Sequence, residues 1–326
     1  MINNRAIDKT DWNASSIDET LSMVRDEVDK VLSASPRIIR EYTAHLTKST
    51  GKYIRGVSLL TCAIDKEGAI HKDAIRFAAA IELVHLATLV HDDVIDNAEL
   101  RRGELSLQKK YGKRTAVICG DYLLCAALML AGDASDKEEY LKFDMPKHLS
   151  RVVLGELQQH INNANFDLSV HRYLKIISGK TAALFEAAFY AGSILSETDQ
   201  RIIRKYSNLG RYIGMIFQLT DDCMDFETTE HVAKKPVQSD YEQNVITLPL
   251  IHAFRTLAGF KEKAATSGLK REEINEAVRK AGGLIYTRSL AKKYYMKSLK
   301  ILEELELSQE KHLRLSSILN SAYRVF

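Results

Sequence analysis

The stretch His71–Asp96, "HKDAIRFAAAIELVHLATLVHDDVID", decides the fold class. Its apolar positions Ile75, Ala79, Leu83, Leu86 and Val90 recur every three or four residues, the period of an α-helix. The opposite positions are also largely apolar, so the spacing predicts a helix buried on most of its sides. The stretch closes on three aspartates, Asp92, Asp93 and Asp96, with Arg101 and Arg102 just beyond. Clustered carboxylates repel one another, and a fold tolerates them most readily where a cation neutralises them.

Outward from this helix the pattern repeats. Comparable helical blocks are expected at roughly residues 17–32, 53–66, 114–131, 146–164, 170–192, 198–226, 244–258, 272–281 and 284–303. Alternating strands are hard to find, and only Pro36, Pro146, Pro236 and Pro249 interrupt the helix formers. The fold class is all-α, and residues 1–326 read as a single-domain helical bundle. "AGDASDKEEY" (131–140) and "AGFKEKAATSGLK" (258–270) read as surface connections, too short to mark a domain boundary.

Composition narrows the function classes. A hydrophobic share of 45% over 326 residues is ample for a core. Lys plus Arg number 46 against 43 Asp plus Glu, so the formal charge of +3 makes no case for a nucleic-acid partner. Cys62, Cys119, Cys125 and Cys223 form no CxxC pair and fit no zinc spacing, which suits buried small residues in a reducing compartment. "MINNRAIDKTDW" lacks a hydrophobic signal core, and no uncharged apolar run reaches the roughly 18 residues of a membrane span. The expectation is a soluble, cytoplasmic chain.

A second acid cluster, Asp221, Asp222 and Asp225, stands in "FQLTDDCMDF", again after an apolar helical stretch. On a helix, positions i and i+4 share a face with Cβ atoms about 5–6 Å apart, so Asp92 with Asp96, and Asp221 with Asp225, each address one site. The middle aspartate sits about 100° round the helix. Two such walls suit magnesium, which prefers hard oxygen ligands and takes one or two carboxylates plus waters and substrate phosphates. An EF-hand fails because Asn97 stands where its loop needs glycine, and a di-iron bundle fails because Glu82 with His85 is the one Glu-x-x-His pair.

Magnesium with phosphate calls for cations. Lys52 and Arg55 in "GKYIRG", Arg101 and Arg102, Lys180 in "SGKTAALFEAA" and Lys235 in "KKPVQSD" supply them. Arginine grips phosphate oxygens as a planar fork, whereas lysine acts as a point charge. His85 lies two helical turns before Asp92 on nearly the same face, and Gln218 precedes Asp221 by three. Both are open to a role at the diphosphate or to plain packing.

"GKYIRG", "IELVHLATLVHDDVIDNAELRRG", "GDYLL", "ISGKTAALFEAA", "GMIFQLTDDCMDF" and "ITLPL" follow one another from about residue 50 to 250. In this order they resemble the successive blocks of the all-trans polyprenyl diphosphate synthases. The resemblance implies an all-helical fold around a deep central cavity, usually dimeric, with the two aspartate motifs facing each other at its mouth. It further implies Mg2+ held by Asp92, Asp93, Asp96, Asp221, Asp222 and Asp225. By the same resemblance Lys52, Arg55, His85 and Arg102 bind isopentenyl diphosphate, while Arg101, Lys180, Thr181, Gln218 and Lys235 surround the allylic diphosphate. The implied catalytic set is Asp92, Asp93, Asp96, Arg101, Arg102, Lys180, Asp221 and Asp222. The assembly implied is a homodimer or the catalytic subunit of a heteromer.

Three departures stand out. The family's "GGKRxRP" reads "TGKYIRG", its "GKP" reads "KKP" at Lys234–Pro236, and its "GKxTLP" reads "NVITLP", with Asn244 and Val245 replacing the usual glycine and lysine. A non-catalytic assembly subunit would show eroded aspartates, and a terpene cyclase would carry an Asn/Ser/Glu motif in place of the second cluster; neither holds here.

Product length is expected to depend on Ala87 and Thr88, five and four residues before Asp92, about one helical turn or 5.4 Å deeper than the first carboxylate. Short-chain members of the family typically carry an aromatic ring there. Ala and Thr leave room for the growing tail, so a long product of about C30–C50 is expected.

Overall fold

The computed structural model describes residues 12–13, 16–46, 51–135, 137–227, 241 and 244–324. The chain divides into two compact units, each drawn from separated segments: Met1–Met145, Ala187–Tyr206 and Leu307–Arg314 in the first, and Pro146–Glu186, Ser207–Glu306 and Leu315–Phe326 in the second.

The first unit is built on the opening stretch, which forms helix α4 (Asp73–Ile95) after β1 (Trp12–Asn13), α1 (Ile17–Ser33), α2 (Arg37–Leu46), α3 (Ile54–Ala63) and β2 (Ile70–His71). α4 packs along α6 (Lys113–Gly132) and against α1 and α3. It buries residues all round, Ala74, Phe77, Ile81, Val84 and Ala87 among them, as a helix apolar on most faces must. Phe77 is fully buried against Phe143, ring centroids 4.9 Å apart, and its truncation to alanine would cost about 3–5 kcal/mol. α1 starts on a capping box in which Ser16 and Glu19 satisfy each other's backbone N–H, and it turns Val24, Val28 and Leu32 to the core. Gly120 of α6 lies beneath the His91 ring, where a Cβ would collide, so α4 and α6 approach closely.

In the second unit α9 (Val170–Ile177) runs into a π-helical turn (Ser178–Ala182) and the start of α10 (Ala183–Ser196), which from Ala187 on belongs to the first unit. α11 (Gln200–Glu227) follows, then α12 (Leu248–Thr256), α13 (Phe260–Ser267), α14 (Arg271–Ala281) and α15 (Gly283–Glu304). One apolar cluster joins Tyr173, Ile176, Leu219, Leu248, Ile251 and Ile274. Gly283 touches the Pro249 carbonyl so closely that no side chain fits, which seats the start of α15 on α12.

The helical blocks match expectation within a few residues, with differences that have physical causes. The 170–192 block is interrupted by the π turn and continues to Ser196. The stretch 258–270, read as a connection, contains α13, which buries only Ala264 and so shows no apolar period. The tail of 131–140 opens α7 (Lys137–Phe143), and α2, α5 (Leu107–Tyr111) and α16 (Gln309–Tyr323) were not expected. In α16 the buried Leu315, Leu319 and Ala322 alternate with a strongly polar surface.

α4 and α6 are long and apolar enough to cross a membrane on length and composition alone, but 56% and 39% of their most apolar windows are buried within the protein. Arg76, Glu82 and Asp121 keep either helix from being an uncharged run. Cys62, Cys119 and Cys223 are buried free thiols as expected, whereas Cys125 is exposed.

Candidate active site

In the first unit the aspartates occupy the C-terminal end of α4. Asp92 is half-buried, Asp96 is exposed at the helix end, and Asp93 is turned inward, 3% exposed. That split follows from helical geometry, since the middle residue points about 100° away from its neighbour. Arg101 reaches Asp93 with its Nε at 2.8 Å from Oδ1, and its Nη2 contacts the same oxygen. Arg101 is presented by a hairpin of β3 (Leu100–Arg101) and β4 (Glu104–Leu105), joined by Arg102 and Gly103. Both turn residues have positive φ, 53° and 87°, as a two-residue hairpin turn of this hand requires. Ser106 and Gln108 side chains bond the Ala98 carbonyl at 2.6 Å and hold the hairpin to the end of α4.

The same turn aims Arg102 into a pocket lined by Gly51, Tyr53, Glu82, His85, Leu89 and Arg102 itself. The guanidinium lies over Gly51, where a Cβ would stand 3.1 Å from two of its nitrogens. Glu82 accepts the Gly56 backbone N–H at 2.7 Å. Burial pushes the Glu82 carboxyl up, while the Arg55 charge and that N–H pull it down. Arg55 is buried and Lys52 is exposed beside it. Burial, followed by the charges of Arg55, Arg102 and Arg101, holds His85 well below the ordinary imidazole range, so it is neutral at pH 7. Glu82 was legible only as the partner of His85 in a lone Glu-x-x-His pair, and the departure from proline at Gly56 acquires a use, because proline has no N–H to donate. Ala87 is fully buried, and half-buried Thr88 gives its hydroxyl to the His85 carbonyl at 2.8 Å.

In the second unit the cluster lies near the end of α11. Asp221 is exposed, Asp225 is half-buried and Asp222 is 1% exposed. Both Asp222 oxygens are taken: the Tyr173 hydroxyl donates to Oδ2, and Gln218 Nε2 donates to Oδ1 at 2.9 Å. Thr181 Oγ1 donates to the other end of the Gln218 amide at 2.6 Å. Burial, with the Asp221 charge adding to it, pushes the Asp222 carboxyl up to about 7 against the opposing Tyr173 and Gln218 donors. Asp221 faces Arg324 at 3.5 Å.

Lys180 sits in the π turn, its Nζ 2.9 Å from Glu156 Oε1 on α8 (Met145–His160). A Cβ on Gly155 would run into the Gly179–Lys180 backbone, and one on Gly214 would meet Ala182, so the small residues of α8 and α11 let the π turn nest between them. π turns of this kind concentrate at functional sites. Asn244, where the family has glycine, adopts φ 64°, a conformation that asparagine tolerates better than other side chains. Val245 is half-buried. Lys235 lies outside the described residues.

The expected residues thus assemble as three groups: Asp93 with Arg101, His85 with Arg102 in the pocket, and Thr181 with Gln218 and Asp222. Tyr173 and Glu82 are additions. Of six aspartates expected at a metal, four sit on the helix faces that reach solvent and two are turned inward. Among the described residues no three His, Cys, Asp or Glu side chains group as a ready metal cage. A donor set of two carboxylates per helix end fits magnesium, which completes its octahedron with water and phosphate oxygens, better than zinc or calcium.

Acidic helix ends with arginines and a lysine nearby on an all-α frame fit an enzyme that handles diphosphates. The polyprenyl synthetase family model matches residues 36–282, and the chain belongs to that family of prenyltransferases. It is 31% identical to heptaprenyl diphosphate synthase component 2 of Geobacillus stearothermophilus, over 92% of this chain and 94% of that protein. The crystal structure of heptaprenyl diphosphate synthase from Staphylococcus aureus superposes with a TM-score of 0.85 at 30% identity, covering 95% of this chain and 99% of that one. Geranylgeranyl pyrophosphate synthetase from Pyrococcus horikoshii matches at TM-score 0.86 and 26% identity, covering 95% and 97%. The all-α isoprenoid synthase fold is therefore shared by relatives named for long and for short products.

Proposed function

We propose that this chain is a magnesium-dependent trans-polyprenyl diphosphate synthase that adds isopentenyl diphosphate repeatedly to an allylic diphosphate, giving an all-trans product of about C30–C50. The observation that carries the reading is the duplicated pair of outward carboxylates, Asp92 with Asp96 and Asp221 with Asp225, each at the end of a helix. These four are assigned to the metal. Asp93 and Asp222 hold the motifs in place through Arg101 and through Tyr173 with Gln218. Magnesium, when bound, supplies positive charge that neutralises the departing diphosphate.

The remaining work falls to the chain itself. Lys180, Arg101 and Lys235 add charge at the allylic diphosphate as its C–O bond breaks and the electron pair passes to the leaving oxygen. Lys52, Arg55 and Arg102 hold isopentenyl diphosphate, and neutral His85 offers an N–H without adding charge. The terminal alkene of isopentenyl diphosphate then bonds to the allylic carbon, and a proton leaves the neighbouring carbon for the released diphosphate. No protein nucleophile is needed.

Residues 1–326 are taken as one polyprenyl synthase domain, since the family match runs unbroken through segments of both units. We assign it to the cytoplasm and to a homodimer. The relative named component 2 favours a second reading, in which this chain is the catalytic subunit of a heteromer. Purified protein with labelled isopentenyl diphosphate, several allylic primers and magnesium tests both. Long products from the pure chain support the homodimer, products only on adding a partner support the heteromer, and none in either case ends the reading.

A further inference from the structure

Tyr173 belongs to none of the recognised diphosphate-binding blocks, yet it is bonded to the inward aspartate of the second cluster. It is 2% exposed, lies in the apolar cluster on α9, and spends its hydroxyl on Asp222. Seven residues later the same segment carries Lys180, and next to it Thr181 bonds Gln218. Gln218 and Asp222 are four apart on α11, one above the other on one face, and are themselves joined at 2.9 Å. The α9–π segment is therefore fastened to α11 by two rungs, Tyr173–Asp222 and Thr181–Gln218, with Lys180 beside the second and Asp221 beside the first.

The rungs constrain two things at once. A helix held by a buried carboxylate at position 222 cannot rotate about its axis without breaking both bonds, so positions 221 and 225 are kept on the outward face. The π turn holds an extra residue relative to an α-turn, and its register is what aims Lys180. Asp222 is in contact with a second donor, Gln218, so the tyrosine hydroxyl is not required to satisfy the buried carboxylate alone.

We propose that Tyr173 is a positioning residue for the allylic diphosphate half of the reaction, fixing through Asp222 the relative placement of Lys180, Asp221 and Asp225. The inference rests on the functional reading above. Its test is Tyr173→Phe in the full chain, which keeps the ring and removes one oxygen. Binding of inorganic pyrophosphate in the presence of magnesium, measured by titration calorimetry, is expected to weaken about fivefold to tenfold, the scale of one lost hydrogen bond. The KM for the allylic primer is expected to rise with it while that for isopentenyl diphosphate stays put. Tyr206→Phe is the control, because the Tyr206 hydroxyl is buried with no hydrogen-bond partner among the described residues and lies in the first unit. Should Tyr173→Phe lose its cooperative unfolding transition at the assay temperature, the same measurements are made at lower temperature in a stabilising osmolyte, where the folded variant is recovered. Unchanged pyrophosphate affinity in a folded variant, or equal losses for both substrates, overturns the proposal. A wild-type chain that turns over no primer would instead overturn the functional reading and leave the pyrophosphate titration as the test of the rungs.

Discussion

At the end of α4 the middle aspartate, Asp93, meets a guanidinium; near the end of α11 its counterpart, Asp222, meets a phenol and an amide. The spelling Asp-Asp-x-x-Asp is the same, and in both places the first and last carboxylates are left on the more open face. The difference lies in how an inward acid is compensated. Arg101 brings a full charge from a hairpin that also carries Arg102, so the first cluster is tied to the pocket holding His85. The second is closed by neutral donors, and its inward carboxyl rises to about 7 because burial is not offset by a cation. A motif read from sequence therefore specifies which residues share a face, and leaves the direction of that face and the supporting partner to whatever the fold supplies.

The largest expected effect tests whether the two ends are equivalent. Asp92→Ala and Asp221→Ala should each lower turnover by at least about a hundredfold, the scale of losing a principal charge stabiliser of the leaving group. Full activity in one of them, with the fold retained, would break the equivalence. Substrate kinetics sharpen it: Arg102→Ala should raise KM for isopentenyl diphosphate about tenfold more than for the primer, and Lys180→Ala should do the reverse.

Product length bears on the first region alone. Ala87→Phe with Thr88→Phe should shorten the product to about C15–C20, at about 1–3 kcal/mol of stability because Ala87 is fully buried. Products still near C40 in the doubly substituted enzyme would show that the tail runs elsewhere.

Stability separates the two closures. Arg101→Leu strands a buried carboxylate and should cost about 2–3 kcal/mol in urea unfolding, below the value for a fully buried pair because Arg101 is partly exposed. Tyr173→Phe leaves Gln218 in place and should cost about 1 kcal/mol. Equal costs would mean that charge is not what distinguishes the clusters.

The smallest effect is on pH dependence. His85 is depressed in the folded state, so below its unfolded value of about 6.5 the unfolded chain binds a proton that the folded chain does not, and stability falls on acidification. Glu82, raised by burial beside it, works in the opposite sense. The His85 part is therefore read as the difference between wild type and His85→Asn, which should flatten the loss between about pH 7 and 5. An unchanged slope would place the proton uptake elsewhere.

Much of this molecule was legible before folding. The 3.6-residue period of His71–Asp96 and its sister blocks is a local property, so helix positions and the shared faces of Asp92 with Asp96 and of Asp221 with Asp225 follow from spacing, while their outward direction is seen only in the structure. α13 escaped because it buries only Ala264 and so shows no period, whereas the period of Leu315, Ile318, Leu319 and Ala322 in α16 is short and set among polar residues. What only the tertiary structure decided is which distant group meets each inward side chain. Tyr173 is 49 residues from Asp222, and Gly56 is 26 from the Glu82 it caps. Asn244 is understood as a glycine substitute only once its positive φ is seen. Local periodicity settles where a side chain points, but a buried polar group must take its partner from whichever segment the packed core brings within hydrogen-bonding reach.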